Sequence, residues 1–216
     1  EHATAKQLAG IAKDNSRHFG DDPDHPGPLA KDLSYGIAPA PVGKAMRKVA
    51  DWQLERSQPY FDRIWTWSVL YSGFMAASES LNDPKYRDAM MAMGAKFDWR
   101  LRSHLPNADD QSIGQTYLEL YLLKKDPAMM QPTRDELDAV LAAPRMSTIP
   151  GKELPWWWCD ALFMAPPVWA RMYAATGDRK YLSYLDEEWW KTSDLLYDTT
   201  EHLYARDASY LTRKEA

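Results

Sequence analysis

The chain has 216 residues, 45% hydrophobic and 12% aromatic, enough to bury one substantial core or two small ones. Its net charge of −5, from 31 acidic against 26 basic residues, argues against a nucleic-acid partner, which would want a basic face. The single Cys159 excludes an internal disulfide and a thiolate metal cluster, and no segment approaches the roughly 20 apolar residues of a membrane span.

Residues 4–19 read as a polar helix, and 20–28, a cluster of Gly, Asp and Pro, as loop. An irregular arm continues to about Pro41, so the chain divides into an N-terminal helix and arm, 1–42, and a main domain, 43–216. Because the sequence starts at Glu1 rather than Met, removal of a signal peptide is compatible with it, and a periplasmic or secreted location is expected. Over 43–58, Met46, Val49, Ala50 and Leu54, with Trp52 on a different face, predict an amphipathic helix. Helices over 65–81 and 84–101 follow, separated by Asn82-Asp83-Pro84, a stop and restart signal. Beyond the Leu105-Pro106-Asn107 turn, helices are expected over 112–123 and 134–143, then a loop over 144–155 and helices over 158–175 and 179–197. Pro166-Pro167 must kink the first of these last two or start it afresh.

Nowhere does apolar and polar character alternate over a run long enough for a sheet, so the class is all-α. Asn82-Asp83-Pro84-Lys85-Tyr86 and Gly177-Asp178-Arg179-Lys180-Tyr181 each join one helix to the next, with Lys124-Lys125-Asp126-Pro127 in the equivalent place between them. Such a repeat suits stacked helical hairpins that share a core.

The run Trp156-Trp157-Trp158-Cys159-Asp160-Ala161-Leu162-Phe163-Met164-Ala165-Pro166-Pro167 sets one carboxylate among aromatic and apolar residues. A closed site of that kind raises a carboxyl pKa and keeps the acid protonated near neutral pH. Three consecutive indoles cannot all face one core, so at least one is expected to line a cleft, where it can stack on a sugar ring. The bland alternative makes Asp160 a helix cap and puts the tryptophans in the core.

With Tyr173-Ala174-Ala175-Thr176-Gly177-Asp178-Arg179-Lys180-Tyr181 after it, this run resembles the central motif of glycoside hydrolase family 105, the unsaturated rhamnogalacturonyl and glucuronyl hydrolases, related to family 88. A second segment, Asn107-Ala108-Asp109-Asp110-Gln111-Ser112-Ile113-Gly114-Gln115-Thr116-Tyr117, is similar to that family's Asp-containing turn and the helix after it. The likeness starts near Val49 and runs to the C-terminus. It implies an (α/α)6 barrel of helical hairpins, of which about three and a half hairpins can be counted here. Relatives continue for well over a hundred residues past this C-terminus, with an Arg-Gly-Asn-Gly-Trp-like segment not found here. The chain therefore looks like the N-terminal part of a longer protein, to be completed by the missing half or by another copy.

The implied activity is hydration of the C4=C5 double bond of an unsaturated uronic acid at the non-reducing end of a lyase-generated oligosaccharide from pectin, rhamnogalacturonan or a similar acidic glycan. Asp160 matches the family's general acid and base. Asp109, five residues before Gly114, matches the second aspartate, with Asp110 as the alternative or as a helix cap. Trp65 and Trp67, where the first inner helix would reach the barrel mouth, and Trp156, Trp157 and Trp158 beside the acid are candidates for sugar stacking. Arg206 falls near the place of a substrate-contacting His in many relatives and could pair with the uronate carboxylate.

No cofactor and no metal are expected. His104 and His202 have no His partner at helical ligand spacing, and no Gly-x-Ser-x-Gly elbow supports a Ser nucleophile. The expected partner is an unsaturated acidic oligosaccharide, with neither nucleic acid nor membrane. The competing function is a non-catalytic helical-repeat module that binds a glycan or a protein.

Overall fold

Proline at the first position opens several helices of this chain, where its missing N–H has no intrahelical partner to lose. The computed structural model describes residues 31–143 and 153–212, so the expected 4–19 helix, the 20–28 loop and most of the 144–155 loop lie outside the described residues. The helices are α1 (Pro39–Ser57), α2 (Trp65–Ser80), α3 (Pro84–Lys96), α4 (Ala108–Gln111), α5 (Gly114–Lys124), α6 (Pro127–Ala142), α7 (Ala161–Met164), α8 (Pro166–Thr176) and α9 (Lys180–Leu196). One small antiparallel ladder, β1 (Tyr197–Asp198) with β2 (Leu203–Tyr204), pairs Tyr197 with Tyr204 and Asp198 with Leu203. The all-α hairpin class expected from the periodicity is therefore the observed one. Among the described residues, no helix is long and apolar enough to cross a membrane.

Several helix ends differ from expectation, each for a local reason. α1 begins at Pro39 rather than Gly43, with prolines in its first turn fixing φ. α3 stops at Lys96 rather than near Leu101, because Asp98 and Trp99 adopt left-handed φ angles of 52° and 57°. The chain folds back so closely that a Cβ on Gly94 would lie 2.3 Å from the Trp99 ring, a contact only glycine allows. α6 starts at Pro127, not Arg134, because the Asp126 side chain caps it by accepting from Ala128 N at 3.0 Å. Pro166-Pro167 starts a new helix, α8, instead of bending one long helix.

The described residues fall into two compact units, 31–62 with Gly73–Ala89, and Arg63–Ser72 with those from Met90 onward. In the first, Phe74 stacks on Tyr86 with ring centroids 6.1 Å apart, and Phe61 lies against Phe74 at 6.4 Å. In the second, α5 packs against α6 and α8, α8 against α9, and the short α4 against α7. Trp169, Tyr117, Tyr181 and Tyr184 are buried there.

The repeat seen in the sequence recurs as the same latch in each unit. Tyr86 Oη donates to Asp51 at 2.5 Å while Lys85 Nζ pairs with Asp51 at 2.5 Å and reaches Asp83 at 3.9 Å. Tyr181 Oη donates to Asp138 at 2.7 Å while Lys180 Nζ pairs with Asp138 at 2.9 Å and Asp178 at 3.4 Å. Each latch ties the turn before a helix to the helix of the preceding hairpin, and each lysine lies over the ring of its own tyrosine.

Gly114 opens α5 where backbone must approach side chains closely. A Cβ there would meet Val168 Cγ1 at 2.8 Å and Leu101 Cδ2 at 2.9 Å. Both neighbours are buried, so Gly114→Ala is expected to lower stability by about 1–3 kcal/mol through overpacking, outweighing any gain in helix propensity at a first-turn position. The urea midpoint measures this, and an unchanged midpoint would mean that Val168 and Leu101 yield freely.

Candidate active site

The two aspartates singled out in the sequence stand at the starts of two short helices that pack together. Asn107 caps α4, its side chain accepting from Asp109 N at 2.9 Å, which places Asp109 and Asp110 in the first turn. Asp110 turns inward: its carboxylate accepts from Arg102 Nη1 at 3.2 Å and His104 N at 3.1 Å, with His104 Nδ1 at 3.0 Å. It thereby fastens the 102–104 segment to α4, which Asn107 caps. Asp109 points the other way, into a cleft of about 410 Å³ lined by Asp109, Trp157, Trp158, Cys159, Asp160, Arg206 and Asp207. One of its carboxylate oxygens is buried with no hydrogen-bond partner.

Asp160 occupies the residue before α7, yet its side chain makes no cap hydrogen bond, so the bland reading of this carboxylate as a cap is overturned. The backbone does that work, since the Asp160 carbonyl accepts from Phe163 N at 2.9 Å and Met164 N at 3.1 Å. The carboxyl is left for the cleft.

The double proline explains how α7 is held. Pro166 and Pro167 bring no N–H, and Val168 N turns to the Ala165 carbonyl, so the carbonyls at the end of α7 lose their helical donors. Gln115 Nε2 replaces them, donating to Phe163 O and Met164 O at 2.9 Å each. Gln111 adds a second tie, accepting from Trp169 Nε1 at 2.6 Å and donating to Pro106 O at 2.7 Å. The helix of Asp109 and the turn of Asp160 are thus joined through buried amides, a rigid support for the pair.

Withdrawal from water is the largest influence on both carboxyls. It pushes Asp109 up to about 6, helped by the negative charges of Asp160 and Asp110 and opposed by Arg102. Asp160 is also raised, first by desolvation, opposed by a backbone hydrogen bond and by the Arg206 charge. The negative charge of Asp160 thus favours the protonated form of Asp109. Burial likewise pushes the Cys159 thiol up, which disfavours its nucleophilic thiolate form.

The far wall is built from 205–207. Cys159 N donates to Arg206 O at 2.9 Å, Trp158 and Asp207 form an antiparallel bridge, and Ala205 N donates to Leu196 O at 2.8 Å. The Arg206 backbone is therefore held on both sides, and its side chain, 66% exposed, lines the cleft.

Of the five candidate indoles, the structure brings two to the cleft. Trp157 is half-buried there and meets Trp158 edge-on with ring centroids 4.1 Å apart. Trp156 is 0% exposed, packed edge-on against Tyr184, and Trp67 is 3% exposed, stacked with Tyr71. The expectation of sugar stacking is corrected for both, since a buried ring offers no face, and for Trp158, which lines the cleft but is itself buried at 8% exposed, so that Trp157 is the half-buried indole of the lining. Trp65 is exposed but is not among the cleft residues. His104 and His202 also lie outside the lining, and among the described residues no cluster of three or more His, Cys, Asp or Glu could hold a metal ion. Asp207 and Gln115 were missed in the sequence, where only the adjacency of Asp207 to Arg206 hinted at a pair.

Comparison with known proteins gives a consistent outcome. The family model described as Glycosyl Hydrolase Family 88 matches residues 40–216. A protein of Formosa agariphila named unsaturated 3S-rhamnoglycuronyl hydrolase is 32% identical over 188 residues, 82% of this chain and 49% of its own. One of the same name from Alteromonas sp. (strain LOR) is 30% identical over 168 residues, 70% of this chain and 41% of its own. The chain spans about half the length of the curated relatives it matches. A solved polysaccharide lyase shares the fold with TM-score 0.73 at 24% identity, over 82% of this chain and 53% of that one. A solved glycosyl hydrolase family 88 protein from Bacteroides vulgatus does so with TM-score 0.66 at 22% identity, over 78% and 52%.

Proposed function

Since the chain belongs to glycosyl hydrolase family 88, related to the family 105 that its two motifs resemble, we propose that it carries the catalytic carboxyls of a glycosidase acting on unsaturated uronyl oligosaccharides. The observation that carries this reading is the convergence of Asp109 and Asp160 on one cleft, both with raised pKa and with the Asp160 carboxyl spared from capping.

Asp160 gives its proton to C4 of the C4=C5 double bond, and a water molecule adds at C5, leaving its own proton with a cleft carboxylate. The hemiketal so formed opens and releases the neighbouring sugar. A protonated carboxyl is what the first step needs, and desolvation shifts Asp160 toward that form. Because hydration replaces displacement at the anomeric carbon, the spacing of the two carboxyls does not forecast the anomeric outcome. Trp157 offers its ring to the sugar, and the Arg206 guanidinium complements the uronate charge. The two relatives are named for an unsaturated 3S-rhamnoglycuronyl substrate, which favours a uronyl group attached to rhamnose.

The test follows the ultraviolet absorbance of the conjugated double bond. Unsaturated disaccharides made by ulvan, pectin and glycosaminoglycan lyases are offered to the full-length natural protein and, separately, to these 216 residues. The expected result is loss of absorbance with the full-length protein, fastest on the rhamnose-linked substrate. No loss on any member of the panel would sink the hydrolase reading in favour of a glycan-binding module.

A further inference from the structure

Arg206 is not a loose surface cation. Its Nε donates to Asp207 Oδ2 at 2.8 Å and its Nη2 lies 2.7 Å from the same oxygen, so one edge of the guanidinium is fixed. The other Asp207 oxygen accepts from Ser209 N at 2.9 Å and from Ser209 Oγ at 2.5 Å. Asp207 itself is 4% exposed and bridged to Trp158, so the carboxylate is immobile. The guanidinium carbon stands over the Tyr210 ring, 5.2 Å from its centre, within cation–π range. Among the described residues, Arg206 Nη1 makes no hydrogen bond.

A guanidinium has five donors in a rigid fork, and a carboxylate on one edge leaves the other edge for a second planar anion. An exposed arginine alone would lose side-chain entropy on ordering around a ligand; here Asp207, Ser209 and Tyr210 have already ordered it. We propose that Asp207 is the positioning residue of the cleft, holding the Arg206 fork so that its remaining edge reads the carboxylate of the uronyl sugar. This rests on the proposed substrate class and adds what selects it: the site distinguishes a free uronic acid from its neutral ester.

The experiment measures calorimetric binding of an unsaturated uronyl disaccharide and of its methyl ester to the full-length natural protein. The free acid is expected to bind on the order of 10- to 100-fold more tightly, the range of a charge-assisted pair of hydrogen bonds. Asp207→Asn keeps an acceptor for Ser209 but sets an amide against the guanidinium, and should bring the acid-to-ester ratio to within about threefold of unity while the ester affinity stays nearly constant. Asp207→Glu should restore part of the ratio. Arg206→Lys, a change at an exposed side chain, keeps the charge and loses the fork, so it should lose most of the ratio even if Asp207→Asn fails to fold.

Equal weakening of acid and ester by Asp207→Asn would reduce Asp207 to a structural role and overturn the proposal, as would a full ratio in Arg206→Lys. Turnover recorded alongside separates the two readings. Acid-selective binding that depends on Asp207, without turnover, supports this inference while the hydrolase reading fails. Turnover without acid selectivity does the reverse.

Discussion

Asp160→Asn is expected to lower kcat on an unsaturated uronyl disaccharide by about a thousandfold or more while leaving the protein folded. General acid catalysis contributes roughly 10²- to 10⁴-fold, and here the acid also starts the reaction, since nothing adds at C5 until C4 is protonated. Asn has nearly the same shape and no proton to give. The fold should tolerate it, because the Asp160 side chain caps nothing and the Asp160 carbonyl, which holds α7, is unchanged. Circular dichroism and a thermal scan test that half of the expectation, and the decay of double-bond absorbance tests the other. Removing the Asp160 charge should also let Asp109 ionise at lower pH, a shift that carboxyl-labelled NMR would read. Turnover retained in the folded variant would move the acid elsewhere.

Asp109→Asn should have two effects of opposite sign. The Asp109 carboxyl is raised from 3.8 to about 6, so the folded chain binds this proton more tightly than the unfolded one. The stability that this gives is complete below about pH 4 and is lost as pH rises through 6. Above that, an ionised carboxylate with one buried, unpartnered oxygen is a burden on the fold. Asn removes the burden, so the variant should be more stable than the parent at pH 8 by about 1–2 kcal/mol, with little or no gain at pH 4. Denaturant midpoints at the two values check this, and equal effects at both would show that the carboxyl is not titrating in the fold. Activity should fall by about a hundredfold. A strained, destabilising group retained in a cleft is what a catalytic site is expected to contain.

The Trp156–Pro167 run and the Asn107–Gly114 turn were legible as a family resemblance because their residues combine unusual chemistry with local constraint: a carboxylate among indoles, a double proline, a glycine at a tight crossing. Helix starts at Trp65 and Pro84 were equally legible, since caps and prolines act within a few residues. The end of α3 was not, because Asp98 and Trp99 turn left-handed only to lay the Trp99 ring over Gly94, a contact with no signature in periodicity.

The sequence by itself determined the all-α class, the repeated Asp-Lys-Tyr turns, and which carboxylates were worth weighing, because each of these depends on neighbours along the chain. Whether Asp109 or Asp110 faces the cleft, which indoles keep an open face, and that Asp207 grips Arg206 were decided only by the tertiary structure. Adjacent residues on a helix point in different directions, and burial is set by which distant elements pack over each of them. Asp110 found Arg102 and His104, Trp156 found Tyr184, and Trp157 found the cleft. Identical residue types thus received opposite roles from long-range packing, which no local pattern encodes.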